Sequence, residues 1–309
     1  MFYVVRSTIE LESYSHDKIY LKLPRNCTFP LLNSWYSEYN WDSYGDVTIR
    51  AFTIVEANSK SEALNKGYSE IKTSNKILSF LFSVNIKTGE GVDFVKPIDC
   101  LSFPLPKKFN LNTRKIASFN NTLLSLEEDK YPYVIRCIDY LAKSMEFLDQ
   151  ELIEESLLNS FKVLELLANF HYDKVIKHNM LEKIKKSYIS FFKETFDEVV
   201  DIKKQKENFD RYSAVLKDTI YDSTHRKISL FIKSLNIDVD EKNIKKLITV
   251  RSRDVAHGNI ATFEVSHPDT VYSYALGKEV LSCFLLGKNK SIAYPSVDTK
   301  NYTYANKFV

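Results

Sequence analysis

The sequence predicts an α+β domain at the N-terminus that is followed by an all-α helical bundle. Two early segments alternate apolar and polar residues and are rich in β-branched and aromatic side chains, a pattern typical of half-buried strands. From Pro132 onward, apolar residues recur at helical intervals over most of the chain. Between these parts, residues 97–110 hold three of the eight prolines, and proline breaks both helices and strand ladders. We therefore predict domains over 1–110 and 111–290, with a tail over 291–309.

The N-terminal domain is predicted to contain three strands, one long helix and a short returning strand. The three strands are expected at Phe2–Leu11, Lys18–Leu23 and Val47–Ala57. The hydrophobic period then changes, and residues 58–62 are of types that cap helix N-termini, so a helix of about six turns is expected to begin near Ser59. A turn over Lys87–Gly91 precedes the short strand Val92–Val95.

The second domain is predicted to be a bundle of six helices. Their expected spans are 132–148, 150–171, 175–198, 206–235, 241–257 and 268–286. Pro268 fits the first turn of the last helix, because its missing N–H is tolerated there, and Ser266 or His267 is expected to be the cap. The tail is rich in Tyr, Asn and Lys, and it is expected to form either a strand or an arm.

Composition limits the class of protein. The chain has 309 residues, 44% of them hydrophobic, and its net charge is only +3, so any surface that attracts nucleic acid must be local. No apolar run approaches the roughly 20 residues of a membrane helix, and we expect a cytoplasmic protein with no membrane partner. No histidine or cysteine spacing predicts a metal site. The cysteines are expected to be buried free thiols, at Cys27, Cys100, Cys137 and Cys283.

The segment Arg251–Asn259, with the sequence RSRDVAHGN, is the most informative for chemistry. An imidazole can take a proton from a ribose 2′-hydroxyl or give one to the leaving 5′-oxygen, and a guanidinium can hold the charge that builds on the phosphate. Gly258 lies where a C-cap glycine would end the predicted helix 241–257, so His257 is expected to be the last helical residue. Arg251 and His257 are therefore the predicted catalytic pair.

Arg251 is predicted to point inward. It follows Leu247 by four residues and Ile248 by three, and it shares their apolar stripe. Glu165 lies on the apolar face of another predicted helix, where an ionised carboxylate needs a partner, and Arg251 is the partner we expect. On an ideal α-helix Arg251 and His257 are about 240° apart. They meet only if the helix end unwinds or a second chain supplies the partner.

Other polar residues in or near the motif are further candidates for the site, and several of them have two interpretations. Arg253 is the neighbour of His257 on an ideal helix, and Asp254 either orients the imidazole or forms a surface pair with Arg253. Asn259 either donates to a phosphate or forms a turn. A basic run leads into the motif, and it is either a solvated helix face or a surface that steers RNA. This run contains Lys242, Lys245 and Lys246.

These residues resemble a known family. Arg251, a spacer of five residues, then His257 and Gly258 near the end of a long helix are similar to the signature of HEPN domains, particularly the ApeA-like branch. Leu152–Asn169 resembles the long family helix that carries an inward glutamate, here Glu165, and the likeness covers about residues 130–290. Ser252 stands where catalytic members often have asparagine, aspartate or histidine, which keeps a non-catalytic role open.

The resemblance implies an HEPN-like bundle that acts as a metal-independent endoribonuclease without a cofactor. His257 would be the acid and base, Arg251 would stabilise the phosphate, and the products would carry 2′,3′-cyclic phosphate and 5′-hydroxyl ends. In the family two motifs face each other across a two-fold interface, which implies a homodimer. Defence against phage or a toxin role is also implied, with a phage-derived trigger or an antitoxin as partner. The alternative is a non-catalytic module that binds RNA or a nucleotide, or that dimerises.

Overall fold

A computed structural model gives the fold, in which an antiparallel sheet comes first and helices follow, as predicted. It describes residues 1–12, 28–39, 48–83, 85–89, 94–98, 111–196, 201–219, 222–255, 265–287, 296–298 and 303–305. The strands of the N-terminal part are β1 (Phe2–Glu12), β2 (Thr28–Leu31), β3 (Ser34–Tyr39), β4 (Thr48–Glu56), β5 (Asn85–Thr88) and β6 (Phe94–Ile98).

These six strands form one sheet in the order β2-β3-β4-β1-β5, with β6 also paired to β1. Along one side β1 pairs with β4, and along the other side it pairs with β6 near its start and with β5 near its end. The long first strand is therefore the centre of the sheet. Val5 of β1 lies opposite both Thr53 of β4 and Val95 of β6.

The sequence-based strand assignment was correct for β1 and β4 and incomplete elsewhere. The strand predicted at Lys18–Leu23 lies outside the described residues, and β2 and β3 were not predicted. The turn predicted to begin at Lys87 is wrong at its start, because Lys87 and Thr88 belong to β5. They pair with Glu10 and Ile9 of β1, and this pairing supplies backbone hydrogen bonds that the local sequence does not reveal.

The first helix, α1 (Lys60–Phe82), begins where its capping residues predict. The Ser59 hydroxyl accepts a hydrogen bond from the Glu62 N–H, while the Glu62 carboxylate accepts one from the Asn58 N–H. Close packing against the sheet depends on Gly67, since a Cβ added there would lie 2.5 Å from the Cβ of Val5. Only glycine allows this approach of α1 to β1.

The bundle contains eight further helices among the described residues. They are α2 (Leu111–Leu124), α3 (Tyr131–Asp149), α4 (Ile153–His171), α5 (Lys177–Phe196), α6 (Ile202–Thr219), α7 (Thr224–Ser234), α8 (Glu241–Thr249) and α9 (His267–Leu286). Two π-helical segments follow α4 and α8, at Tyr172–Ile176 and Val250–Val255. In the tail, β7 (Ser296–Asp298) and β8 (Thr303–Ala305) pair antiparallel.

Local signals explain where the helix predictions succeeded and failed. Ser266 caps α9, with its hydroxyl accepting from the Asp269 N–H, and Pro268 lies in the first turn as expected. The single helix predicted over 206–235 is wrong, because it is two helices and Ser223 caps the second of them by accepting from the Arg226 N–H. Helix α2 was not predicted.

The core runs from the sheet into the bundle without a break. Helix α4 packs against α3, α7 and α9, and α3 also packs against α1. The contact of α4 with α9 is close, since the Ser160 hydroxyl donates to the Ser273 hydroxyl at 2.8 Å. Residues 99–110 of the predicted domain boundary lie outside the described residues, so the two-domain division stays a prediction.

Two of the four cysteines are described, and both are buried free thiols as predicted. Burial raises the pKa of the Cys137 thiol well above its ordinary value. Cys27 and Cys100 lie outside the described residues.

Across the described helices, none combines the length and the apolar character that a membrane span requires. Within the same residues, no cluster of three or more His, Cys, Asp or Glu side chains is arranged to hold a metal ion.

Candidate functional site

Arg251 lies in the π-helical segment that continues α8. Helix α8 is amphipathic as predicted, with Ile244 and Leu247 buried and its lysines exposed. The single α-helix predicted over 241–257 is wrong for Val250–Val255, where the backbone is π-helical, and residues 256–257 lie outside the described residues. A π-helix bonds residue i to i+5, and such segments are frequent at functional sites. The 240° separation derived for an ideal α-helix therefore does not describe this helix end.

Arg251 contacts Glu165 of α4, the partner predicted from the sequence. The Arg251 Nη2 atom lies 3.2 Å from Glu165 Oε1 and donates a hydrogen bond of 3.4 Å to Oε2. The guanidinium carbon lies 5.9 Å from the ring centroid of Phe161, one helical turn before Glu165. The contact joins the end of α8 to the middle of α4, and it does not by itself assign a catalytic role to either residue.

The site is partly open to solvent. The Arg251 side chain is 34% exposed and the Glu165 side chain 23% exposed, so Arg251 turns toward the bundle without being buried in it. Burial raises the pKa of the Glu165 carboxyl, and the charges of Arg251 and Lys162 oppose this rise without cancelling it. A carboxyl group with a raised pKa beside an accessible arginine is the kind of arrangement found at functional sites as well as in structural ion pairs.

The three lysines of the predicted RNA-binding run differ in their surroundings. The Lys246 Nζ atom lies 2.8 Å from Asp269 Oδ1, so its charge is opposed by a carboxylate that is itself held at the start of α9. Lys245 is exposed, and it adds to the effect of Lys233, the main cause, in lowering the pKa of Glu241. Lys242 is exposed, and its backbone N–H donates to the capping carboxylate of α8.

The second half of the motif lies largely outside the described residues. His257 and Asn259 lie outside the described residues, and Arg253 and Asp254 are described only in their π-helical backbone. The distance from Arg251 to His257, and with it the catalytic pair, stays a prediction.

Two neighbours of the ion pair were not predicted from the sequence. The ring of Phe161 faces the guanidinium of Arg251, and the charge of Lys162 opposes the rise in the pKa of the Glu165 carboxyl. Their spacing was a usable signal, because residues three and four positions before Glu165 share its helix face.

By its fold the protein is an antiparallel sheet joined to a helical bundle, and its described site is an arginine–glutamate pair between two bundle helices. No family model, curated protein sequence or solved structure matches the chain. The HEPN resemblance therefore remains a proposal that is based on the motif and its helices.

Replacing Arg251 with alanine is expected to lower the free energy of unfolding by about 1–2 kcal/mol. This lies between the ~3–5 kcal/mol of a broken buried ion pair and the ~1 kcal/mol or less of an exposed pair, because both side chains are partly exposed. Urea unfolding of Arg251→Ala, Glu165→Gln and the double variant measures the interaction. The double variant should lose less stability than the sum of the single variants, and strict additivity would contradict the pair. Arg211→Ala, at an exposed arginine of α6, is the matched control.

The stability contributed by Glu165 is expected to fall as the pH rises. Its folded-state pKa is above the ordinary value of 4.5, so the folded protein binds more protons than the unfolded chain between these two values. Its contribution is complete below the unfolded pKa and is lost as the pH rises through the folded pKa. In urea unfolding from pH 4 to pH 7, the free energy of unfolding of Glu165→Gln should therefore rise relative to that of the wild type. In the control Glu241→Gln, the free energy of unfolding should instead fall relative to that of the wild type as the pH rises, because Lys233 lowers the pKa of Glu241. If the free energies of unfolding of Glu165→Gln and of the wild type differ by the same amount at every pH, the pKa of Glu165 is not raised.

Proposed function

We propose that the helical part of the chain is an HEPN-like domain of the ApeA-like branch that cleaves RNA without a metal. The observation that carries this proposal is the contact of Arg251 with Glu165, which joins the start of the motif to the inward glutamate of the long helix. The π-helical segment at Val250–Val255 adds support, because such segments are frequent at functional sites.

The proposed reaction needs only proton transfer and charge stabilisation. His257 accepts the proton of a ribose 2′-hydroxyl, and the 2′-oxygen attacks the adjacent phosphorus. The bond from phosphorus to the 5′-oxygen breaks, and that oxygen leaves with a proton returned by the imidazolium. Arg251 holds the negative charge that builds on the phosphate oxygens. The products carry a 2′,3′-cyclic phosphate and a 5′-hydroxyl.

Binding and assembly complete the proposal. Lys242 and Lys245 would attract the RNA backbone, whereas the charge of Lys246 is already opposed by Asp269. A two-fold homodimer would bring two motifs to one cleft. The N-terminal sheet and α1 would recognise a phage-derived trigger or an antitoxin, in a role of defence or toxicity.

The test is cleavage of total RNA by the purified protein in EDTA. We expect cleavage to continue, because the proposed pair supplies both proton transfer and charge stabilisation. The 5′ ends should accept phosphate from polynucleotide kinase without prior phosphatase treatment, and the 3′ ends should be cyclic phosphates. Cleavage that requires Mg²⁺ and leaves 5′-phosphates would reject this mechanism.

A non-catalytic RNA-binding or dimerising module is the second candidate. Under this alternative the Arg251–Glu165 pair has the sole role of holding the end of α8 against α4, and Ser252 in the motif favours that role. Under this alternative the purified protein binds RNA or dimerises and leaves total RNA intact in EDTA and in Mg²⁺ alike.

A further inference from the structure

A cavity of about 410 Å³ lies between α1 and α3, on elements that do not carry Arg251. Its volume falls in the range of small-molecule sites, about 300–1,000 Å³. Of the residues that line it, Pro132 is exposed and Tyr131 and Ile135 are half-buried, so these three side chains form the accessible apolar wall, and Lys76 and Arg136 stand beside it. Ile77 and Ile138 lie behind this wall and are almost fully buried in the core.

Positive charge is in excess around this cavity. Asp139 on the cavity wall is contacted by Lys76 through one oxygen and by Lys143 through the other, at 3.1 Å for Lys143. The second carboxylate nearby is Glu70, whose charge raises the pKa of Tyr131 after the larger effect of burial. Among the residues that line the cavity, the charged ones are the cations Lys76 and Arg136 and the carboxylate Asp139.

Arg136 is the cation best placed for a ligand. Its Nε donates to the Tyr140 hydroxyl at 3.3 Å, and its guanidinium carbon lies 5.9 Å from the Tyr140 ring centroid. Within the described part of the chain it forms no ion pair with a carboxylate. A guanidinium presents a planar fork of donors that matches a phosphate group. Arg136 can therefore bind a phosphate without first breaking a salt bridge.

The polar groups on the wall distinguish between kinds of anion. The Thr73 hydroxyl donates to the Ser69 carbonyl at 2.9 Å and can still accept a hydrogen bond. With the Tyr131 hydroxyl it offers partners for a polar ring edge or a sugar, which a fatty acid could not use. The wall of Tyr131, Pro132 and Ile135 suits the flat face of a base.

We propose that this cavity binds a nucleoside monophosphate, with its phosphate at Arg136 and its base against Tyr131, Pro132 and Ile135. The ligand would contact α1, which packs on the sheet, and α3, which packs on the helix that carries Glu165. It would thereby connect the N-terminal part to the bundle. This site is independent of RNA cleavage, and either proposal can fail without the other.

Isothermal titration of the full chain with AMP, GMP, CMP and UMP tests the site. We expect at least one of them to bind with a Kd below about 1 mM, an affinity within reach of a small site of this kind. Inorganic phosphate and the matching nucleoside should each bind at least about tenfold more weakly, because each lacks half of the contacts. No binding by any of the four nucleotides would overturn the proposal.

Variants locate the bound nucleotide. Arg136→Ala, at an exposed residue, should weaken binding by about tenfold or more, as expected for a lost charge-assisted contact to phosphate. Thr73→Trp, which narrows the cavity, should also weaken it. Arg211→Ala, at an exposed arginine of α6, should bind as the wild type does. Unchanged binding by both cavity variants would place the nucleotide elsewhere and reject this site.

Discussion

Replacing His257 with alanine is expected to reduce RNA cleavage by about 10²- to 10⁴-fold, the contribution typical of a general acid and base. The imidazole has no substitute in the proposed reaction, since it both removes the 2′-hydroxyl proton and protonates the leaving oxygen. Replacing Arg251 with alanine should reduce the rate by about 10²- to 10³-fold through lost charge stabilisation. Initial rates on a fluorescently labelled RNA at neutral pH measure both effects.

The control for His257 is His178, an exposed histidine of α5, whose alanine variant should cleave at the wild-type rate. Thermal unfolding of each variant separates catalysis from folding. A His257→Ala protein that is inactive with an unchanged Tm supports the nuclease. Cleavage by His257→Ala at the wild-type rate would place the activity outside the motif, and an unfolded variant would support the structural alternative.

Replacing Lys278 with alanine is expected to lower the free energy of unfolding by about 2–5 kcal/mol, the range for truncating a large buried side chain. Lys278 is fully buried on α9. Its Nζ donates to the Leu81 carbonyl at 3.3 Å and to the Ser83 hydroxyl at 2.7 Å, and it lies 5.3 Å from the Phe80 ring centroid. These groups form the C-terminal end of α1, where carbonyls lack helical partners and the helix dipole favours a cation. The alanine variant loses these contacts and leaves a cavity.

The variant Lys278→Met separates the two causes of this loss. Methionine fills most of the volume of the lysine stem but cannot donate a hydrogen bond, so the loss should be smaller than with alanine. Lys186→Ala, at an exposed lysine of α5, should change stability by no more than about 0.5 kcal/mol. Urea unfolding measures all three variants. If Lys278→Ala is as stable as the wild type, Lys278 does not hold α9 against α1.

Local signals made several elements predictable. Helix α1 followed from the capping residues at 58–62 and from the change of hydrophobic period, and α9 followed from Ser266 and Pro268. The contact of Arg251 with Glu165 was predictable because each charged residue lies on an apolar helix face and needs a partner of opposite charge. Each of these signals acts within one or two helical turns.

Other features depend on parts of the chain that are distant in sequence. Strand β5 exists because Asn85–Thr88 pairs with the end of β1, and Lys87 and Thr88 have no strong strand signal of their own. The cavity between α1 and α3 joins Lys76 to Arg136, which no spacing rule relates. The π-helical turn at Val250–Val255 shifts backbone hydrogen bonds by one residue, and the hydrophobic period does not record such a shift.

By itself the sequence determined the order of sheet and bundle, the caps of α1 and α9, the apolar faces and the pairing of Arg251 with Glu165, because periodicity, capping and charge balance are properties of short segments. Only the tertiary structure decided that β1 lies at the centre of the sheet, that α8 continues as a π-helix at Arg251, that Lys278 ends up at the C-terminus of α1, and that Lys76 and Arg136 share a cavity. These outcomes depend on which distant surfaces pack together, and the free energy of that packing is summed over the whole core.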